Sequence, residues 1–108
     1  DDMREAPAVP IIKGLVARGA KVRAFDPEAM AVAKQIFKKS ITYARSAYDA
    51  LKGADALLIL TEWNEFREPD FKKMKKLLKS PVILDGRNVF DPKQVREMGF
   101  TYSSIGRP

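Results

Sequence analysis

Ala56-Leu57-Leu58-Ile59-Leu60 is the stretch on which the fold turns. An unbroken apolar run of this length implies burial on both faces, as in a central parallel strand, and helices must then cover both sides. Downstream, Thr61-Glu62-Trp63-Asn64-Glu65-Phe66 leads into an amphipathic segment. It turns Phe71, Met74, Leu77 and Leu78 inward and Lys72, Lys73, Lys75, Lys76 and Lys79 mostly outward. Pro81-Val82-Ile83-Leu84-Asp85-Gly86 reads as the next strand and its turn. Asp91-Pro92 supplies an N-cap and a proline at the first helical position for a short helix through Met98, and Phe100-Thr101-Tyr102 reads as a last strand.

Upstream of the run, Val9, Ile12, Leu15 and Val16 recur at helical spacing and Gly19 is a suitable stop, which predicts a helix over 8–18. Lys21-Val22-Arg23-Ala24-Phe25 alternates as a strand, and Asp26-Pro27 repeats the cap-and-proline device for a helix with Met30, Ala33, Ile36 and Phe37 on one face. That helix should stop within Lys38-Lys39-Ser40, ahead of a short strand at Ile41-Thr42-Tyr43. Ser46 with Asp49 forms a capping-box pattern for a short helix ending at Gly53. Phe-Asp-Pro occurs at 25–27 and again at 90–92, but the flanking residues differ, so the shared element is helix-start chemistry and not a duplication. Strands and helices alternating on short loops define an open, mostly parallel α/β sheet with right-handed crossovers.

The chain has 108 residues, enough for one domain spanning 1–108. Hydrophobic residues at 45% and charged residues at 31% fit a globular protein, and no apolar run is long enough for a membrane helix. Cysteine and histidine are both absent. Disulfides, thiolate nucleophiles, cysteine–histidine metal sites and the commonest general base are thereby excluded. Twenty Lys and Arg against 14 Asp and Glu leave a net charge of +6, which favours an anionic partner. The opening Asp1-Asp2-Met3-Arg4-Glu5-Ala6-Pro7 starts without Met and lacks the basic flank and apolar core of a signal peptide, so the chain reads as a fragment or a processed product, and the lack of cysteine fits a cytoplasmic protein.

In open α/β sheets ligands collect beyond the carboxyl ends of the strands. Those ends carry Asp26, Thr61-Glu62-Trp63, Asp85-Gly86-Arg87-Asn88 and Ser103 to Arg107, and Arg4 shares the edge if a strand precedes it. Arg87 is the leading candidate, because Gly86 permits close backbone approach and a guanidinium clamps phosphate through two hydrogen bonds. Position alone leaves it open between that role and a surface pair with Asp85 or Glu62. Arg4 reads more simply as part of a solvated charged turn, and Asp26 as a helix cap, since no Gly-x-Gly-x-x-Gly precedes it. Trp63 can stack on a base or pack beneath its loop. The lysines at 72–79 alternate with core positions and read as a solvated helix face more than a nucleic-acid stripe. No P-loop, metal-ligand cluster or nucleophile–base pair can be assembled, so a self-sufficient enzyme is not expected.

Five motifs in order carry a resemblance. They are Asp1-Asp2-Met3-Arg4-Glu5-Ala6-Pro7; Val22-Arg23-Ala24-Phe25-Asp26-Pro27-Glu28-Ala29-Met30; Ala54-Asp55-Ala56 with Leu60-Thr61-Glu62-Trp63-Asn64-Glu65-Phe66; Asp85-Gly86-Arg87-Asn88; and Tyr102-Ser103-Ser104-Ile105-Gly106-Arg107. Together they closely resemble the C-terminal domain of bacterial-type UDP-glucose 6-dehydrogenases across essentially the whole chain. The resemblance implies a three-layer Rossmann-like domain that binds UDP, within an NAD-dependent homodimer that oxidises UDP-glucose to UDP-glucuronate. It implies that the catalytic thiol and its helpers lie in the N-terminal and central parts, so this chain contributes no catalytic residue and is inactive alone. Arg87 matches an arginine that holds the UDP-sugar, Arg4 one that reaches the NAD phosphates, and Thr61-Glu62-Trp63 a motif lining the same edge. No metal, nucleic acid or membrane is implied. UDP-N-acetylmannosamine and GDP-mannose dehydrogenases share the architecture, with Thr-Glu-Trp and Asp-Gly-Arg-Asn favouring UDP-glucose; the alternative from a different class is a basic nucleic-acid-binding module.

The family also carries a glycine-rich apolar strand, ending in a substrate-site lysine, just ahead of the segment matched here. In the doubly wound order that first strand lies between those at 21–25 and 56–60. Its absence is expected to leave a gap or to force those two strands to pair, giving weak stability or strand exchange. A stable monomer with a single thermal transition would count against this.

Overall fold

The computed structural model describes residues 8–61 and 69–104. They fall into two compact units that divide between Ala50 and Leu51.

The first unit contains α1 (Ala8–Ala17), β1 (Arg23–Ala24), α2 (Met30–Phe37), a 3-10 turn at Lys38–Ser40, β2 (Thr42–Tyr43) and most of α3 (Ala47–Leu51). β1 and β2 are parallel, with Arg23 opposite Thr42 and Ala24 opposite Tyr43. The ladder is shorter than the alternation at 21–25 predicts because its partner is confined between the 3-10 turn and Ala44. Bonds from Thr42 N to the Val22 carbonyl (2.9 Å) and from Ala44 N to the Ala24 carbonyl (2.8 Å) complete it. Ala8, Val9 and Ile12 of α1, Ala33 and Phe37 of α2, and Ile41 are buried. Arg23 closes this unit by donating to the carbonyls of Asp49 and Ala50 (3.3 and 3.4 Å), where the last turn of α3 leaves acceptors unsatisfied.

Asp26 does not cap α2. Its carboxylate accepts from Glu28 N (3.0 Å), but a turn closed by Ala29 N on the Asp26 carbonyl (3.2 Å) intervenes and the helix starts at Met30. The capping box at Ser46 forms as expected on one side, with Asp49 N donating to Ser46 Oγ (3.0 Å). Its return contact goes to Arg45 N (3.1 Å), one residue earlier than the usual pattern.

The second unit contains β3 (Leu57–Ile59), α4 (Phe71–Leu77), β4 (Val82–Asp85), α5 (Pro92–Glu97) and β5 (Thr101–Ser104). The strands are parallel in the order β3-β4-β5. By the right-handed crossover rule, two steps in one direction put α4 and α5 on the same face of this sheet, in keeping with the ring contacts of Phe71 with Phe90 and Phe100. That face is the core: Leu57 pairs with Ile83 and Ile83 with Tyr102, and all three are buried. Met74, Ile83 and Val95 are 0% exposed, and Phe71 meets Phe90 edge-on with ring centroids 5.3 Å apart.

Two expectations change here. β4, not β3, is the middle strand of the ladder, and among the described residues β3 pairs with β4 alone. The opposite face of the sheet is less covered than an apolar run at 56–60 implies, since Leu84, paired with Leu58, is 40% exposed.

The helix starts of this unit follow the sequence closely. Asp91 caps α5 through Lys93 N, with Pro92 in the first turn, and Asp70 caps α4 through Lys73 N (3.0 Å). Asp70→Ala is expected to lower stability by about 1 kcal/mol, read as a shift in the denaturant midpoint at unchanged slope. No shift would show that Lys73 N is satisfied by water at no cost.

Candidate functional site

Parallel pairing sends the carboxyl ends of β3, β4 and β5 to a single edge. Ile59 is opposite Asp85, and Asp85 is opposite Ser104. Thr61 and Arg87 each lie two residues beyond the Ile59–Asp85 pair, so they leave neighbouring strands together. Gly86 N donates to the Ile59 carbonyl (2.8 Å) and fixes the point at which the β4 loop departs.

The loop that follows is organised by one carboxylate. Asp85 is the one buried charged residue among those described, at 1% exposure. Its Oδ1 accepts from Arg87 N (3.0 Å), and its Oδ2 accepts from Val89 N (2.8 Å), Phe90 N (3.0 Å) and the Tyr102 hydroxyl (2.7 Å). Four donors offset the cost of removing the carboxylate from water. Between them, Asn88 takes a left-handed backbone (φ 56°), a conformation asparagine tolerates better than most residues. The Arg87 side chain is exposed on this fixed turn.

Tyr102 is itself held. Arg96 of α5 donates to the Tyr102 carbonyl (3.0 Å), and its guanidinium lies 5.8 Å from the centre of the Tyr102 ring. A connected set from α5 through β5 to the end of β4 thus supports the loop.

Of the candidates read from sequence, Thr61 and Arg87 come together at this edge. Asp26 belongs to the first unit, where it makes its local turn. Arg4, Glu62, Trp63 and Arg107 lie outside the described residues. Lys72, Lys73, Lys75, Lys76 and Lys79 are exposed while Phe71, Met74 and Leu78 are buried, which is the geometry of a solvated helix face. Asp85 and Tyr102 carry roles that sequence reading missed: Asp85 entered only as a possible partner of Arg87, and its contact with Tyr102 spans 17 residues. The available signal was an acid ending an apolar strand, where an unpaired carboxylate would be costly. No cluster of three or more metal-ligating acidic, cysteine or histidine side chains occurs among the described residues. None of their helices is long and apolar enough to cross a membrane.

The second unit is thus a parallel α/β layer whose carboxyl edge carries an exposed arginine on a loop braced by a buried carboxylate. Residues 1–92 match the model of the UDP-glucose/GDP-mannose dehydrogenase family, UDP binding domain, and the chain belongs to that family. It is 42% identical over 113 aligned residues to UDP-glucose 6-dehydrogenase of Pseudomonas aeruginosa, and 45% identical over 108 to UDP-glucose 6-dehydrogenase TuaD of Bacillus subtilis. The alignments cover 100% of this chain but 25% and 23% of those proteins, so the chain spans about a quarter of their length. Among solved structures it is similar to an NDP-N-acetyl-D-galactosaminuronic acid dehydrogenase from Methanosarcina mazei Go1, at 25% identity and a TM-score of 0.72, covering 94% of this chain and 20% of that one.

Proposed function

We propose that this chain is the nucleotide-sugar-binding domain of a UDP-glucose 6-dehydrogenase, in which it holds the UDP moiety while other domains carry out the NAD-dependent oxidation of UDP-glucose to UDP-glucuronate. The observation that carries the reading is Arg87, exposed on a loop held by Asp85 at the carboxyl end of β4, next to the strand that Thr61 follows. A guanidinium held on a rigid turn loses less freedom when it engages a diphosphate than one on a mobile loop. Identities of 42% and 45% to UDP-glucose enzymes, against 25% to the N-acetylgalactosaminuronate enzyme, favour UDP-glucose over an N-acetylated sugar.

On this reading Arg87, Thr61, Glu62 and Trp63 contact the substrate and Arg4 reaches the cofactor phosphates. None of the chain's six glycines forms a Gly-x-Gly-x-x-Gly loop, so its own residues build no dinucleotide-phosphate cradle and NAD is assigned mainly to another domain. When bound, NAD would supply hydride acceptance; this chain binds and orients the nucleotide. The enzyme is proposed to be a cytoplasmic homodimer.

Titration with UDP and, separately, with duplex DNA tests the assignment. Saturable UDP binding is expected, weaker for uridine because the phosphates are missing. Failure to bind UDP, together with DNA binding that falls by about 10³-fold or more between 50 and 200 mM salt, would instead favour the nucleic-acid module.

A further inference from the structure

We infer that Asp85, backed by Tyr102, is the positioning residue of the UDP site and acts on the ligand through Arg87. The inference rests on the reading that Arg87 contacts the nucleotide.

Asp85 ends the middle strand directly after Ile83-Leu84, at a buried position where an apolar side chain would carry no desolvation cost. Every hydrogen bond given above for its carboxylate serves the 86–90 turn or the residue that buttresses it. Oδ1 fixes the backbone of Arg87 itself, and Oδ2 gathers Val89 N and Phe90 N from the far side of the turn. The carboxylate therefore determines where the Arg87 Cα sits and the direction in which its side chain leaves the sheet. The Tyr102 hydroxyl, 2.7 Å from Oδ2 and 3.3 Å from the Phe90 carbonyl, holds the same carboxylate from β5, and Arg96 holds Tyr102. These bonds supply what a bidentate clamp needs, since a displacement of about 1 Å is enough to lose much of its benefit.

The test uses the full-length dehydrogenase with Asp85→Asn and Tyr102→Phe, each alone and combined with Arg87→Ala, and measures UDP affinity by calorimetry alongside thermal stability. Asparagine keeps one acceptor but turns an NH2 toward N–H donors; phenylalanine removes one hydroxyl and leaves the three backbone bonds. Asp85→Asn is expected to weaken UDP binding about tenfold and Tyr102→Phe about threefold. Neither should weaken it further once Arg87 is alanine. KM for UDP-glucose should rise while KM for NAD stays unchanged, a split that general loosening of the fold would not produce.

Losses that persist undiminished in the Arg87→Ala background would overturn the inference, because Asp85 would then act on the fold and not through Arg87. If Asp85→Asn does not fold, Tyr102→Phe decides by the same comparison. Arg87→Ala weakening UDP while the Asp85 and Tyr102 variants bind normally would overturn this inference alone and leave the Arg87 reading intact. Unchanged affinity in Arg87→Ala would remove both.

Discussion

Asp85→Ala is expected to destabilise the unit formed by β3, β4 and β5 by about 3 kcal/mol, and by more if water cannot reach the vacated site. The substitution deletes the acceptor for Arg87 N, Val89 N, Phe90 N and the Tyr102 hydroxyl together. A donor left unpaired in the interior costs about 1–3 kcal/mol, and local relaxation with water entry recovers part of the sum. The loss should exceed that from Asp70→Ala, whose carboxylate satisfies Lys73 N at an exposed helix start. Urea unfolding of both variants gives the comparison. An Asp85→Ala protein as stable as the parent would mean that the four donors find solvent freely, and the description of a locked loop would fail.

Arg87→Ala should leave stability nearly unchanged while weakening UDP binding by about 1.5–3 kcal/mol, roughly 10- to 150-fold. The two predictions point in opposite directions for neighbouring residues because burial separates them. Asp85 is enclosed and bonded to its own loop, whereas the Arg87 side chain is exposed at the strand edge. Removal of an exposed cation costs little in folding; removal of a charge-assisted bond to phosphate costs much in binding. Lysine at 87 should recover only part of the affinity, since an ammonium cannot reproduce the two-pronged geometry. An Arg87→Ala variant with native affinity would reject Arg87 as a ligand contact.

How far the sequence reaches is clearest at residues that share a chemistry but differ in outcome. Asp26-Pro27 and Asp91-Pro92 look alike, and each aspartate accepts from the backbone N two residues on, yet α5 starts at once at Pro92 while α2 starts only at Met30. The local pattern offers both geometries, and the surrounding structure selects between them. The apolar run at 56–60 correctly marks β3; of Phe71, Met74, Leu77 and Leu78, the first two are the buried side of α4, Leu78 is buried just past its end and Leu77 is only half-buried. Periodicity does not encode which strand lies in the middle, because neighbour order depends on the path of the crossovers, and β4 takes that place. The positions of Arg87 and Thr61 at one edge were legible from the strand-end rule, since a parallel register sends the ends of neighbouring strands the same way. Asp85 was not: beside an arginine it suggests an ion pair, and the Tyr102 hydroxyl that completes its environment comes from another strand.

UDP is expected to bind at the carboxyl edge of β3 and β4. Hydrogen exchange of the full-length enzyme, measured by mass spectrometry with and without UDP, tests it most directly. UDP should slow exchange in the segments containing Thr61 and residues 86–90, with no change across the lysine face of α4. Protection confined to residues 72–79, or none in the 86–90 loop at saturating UDP, would contradict it.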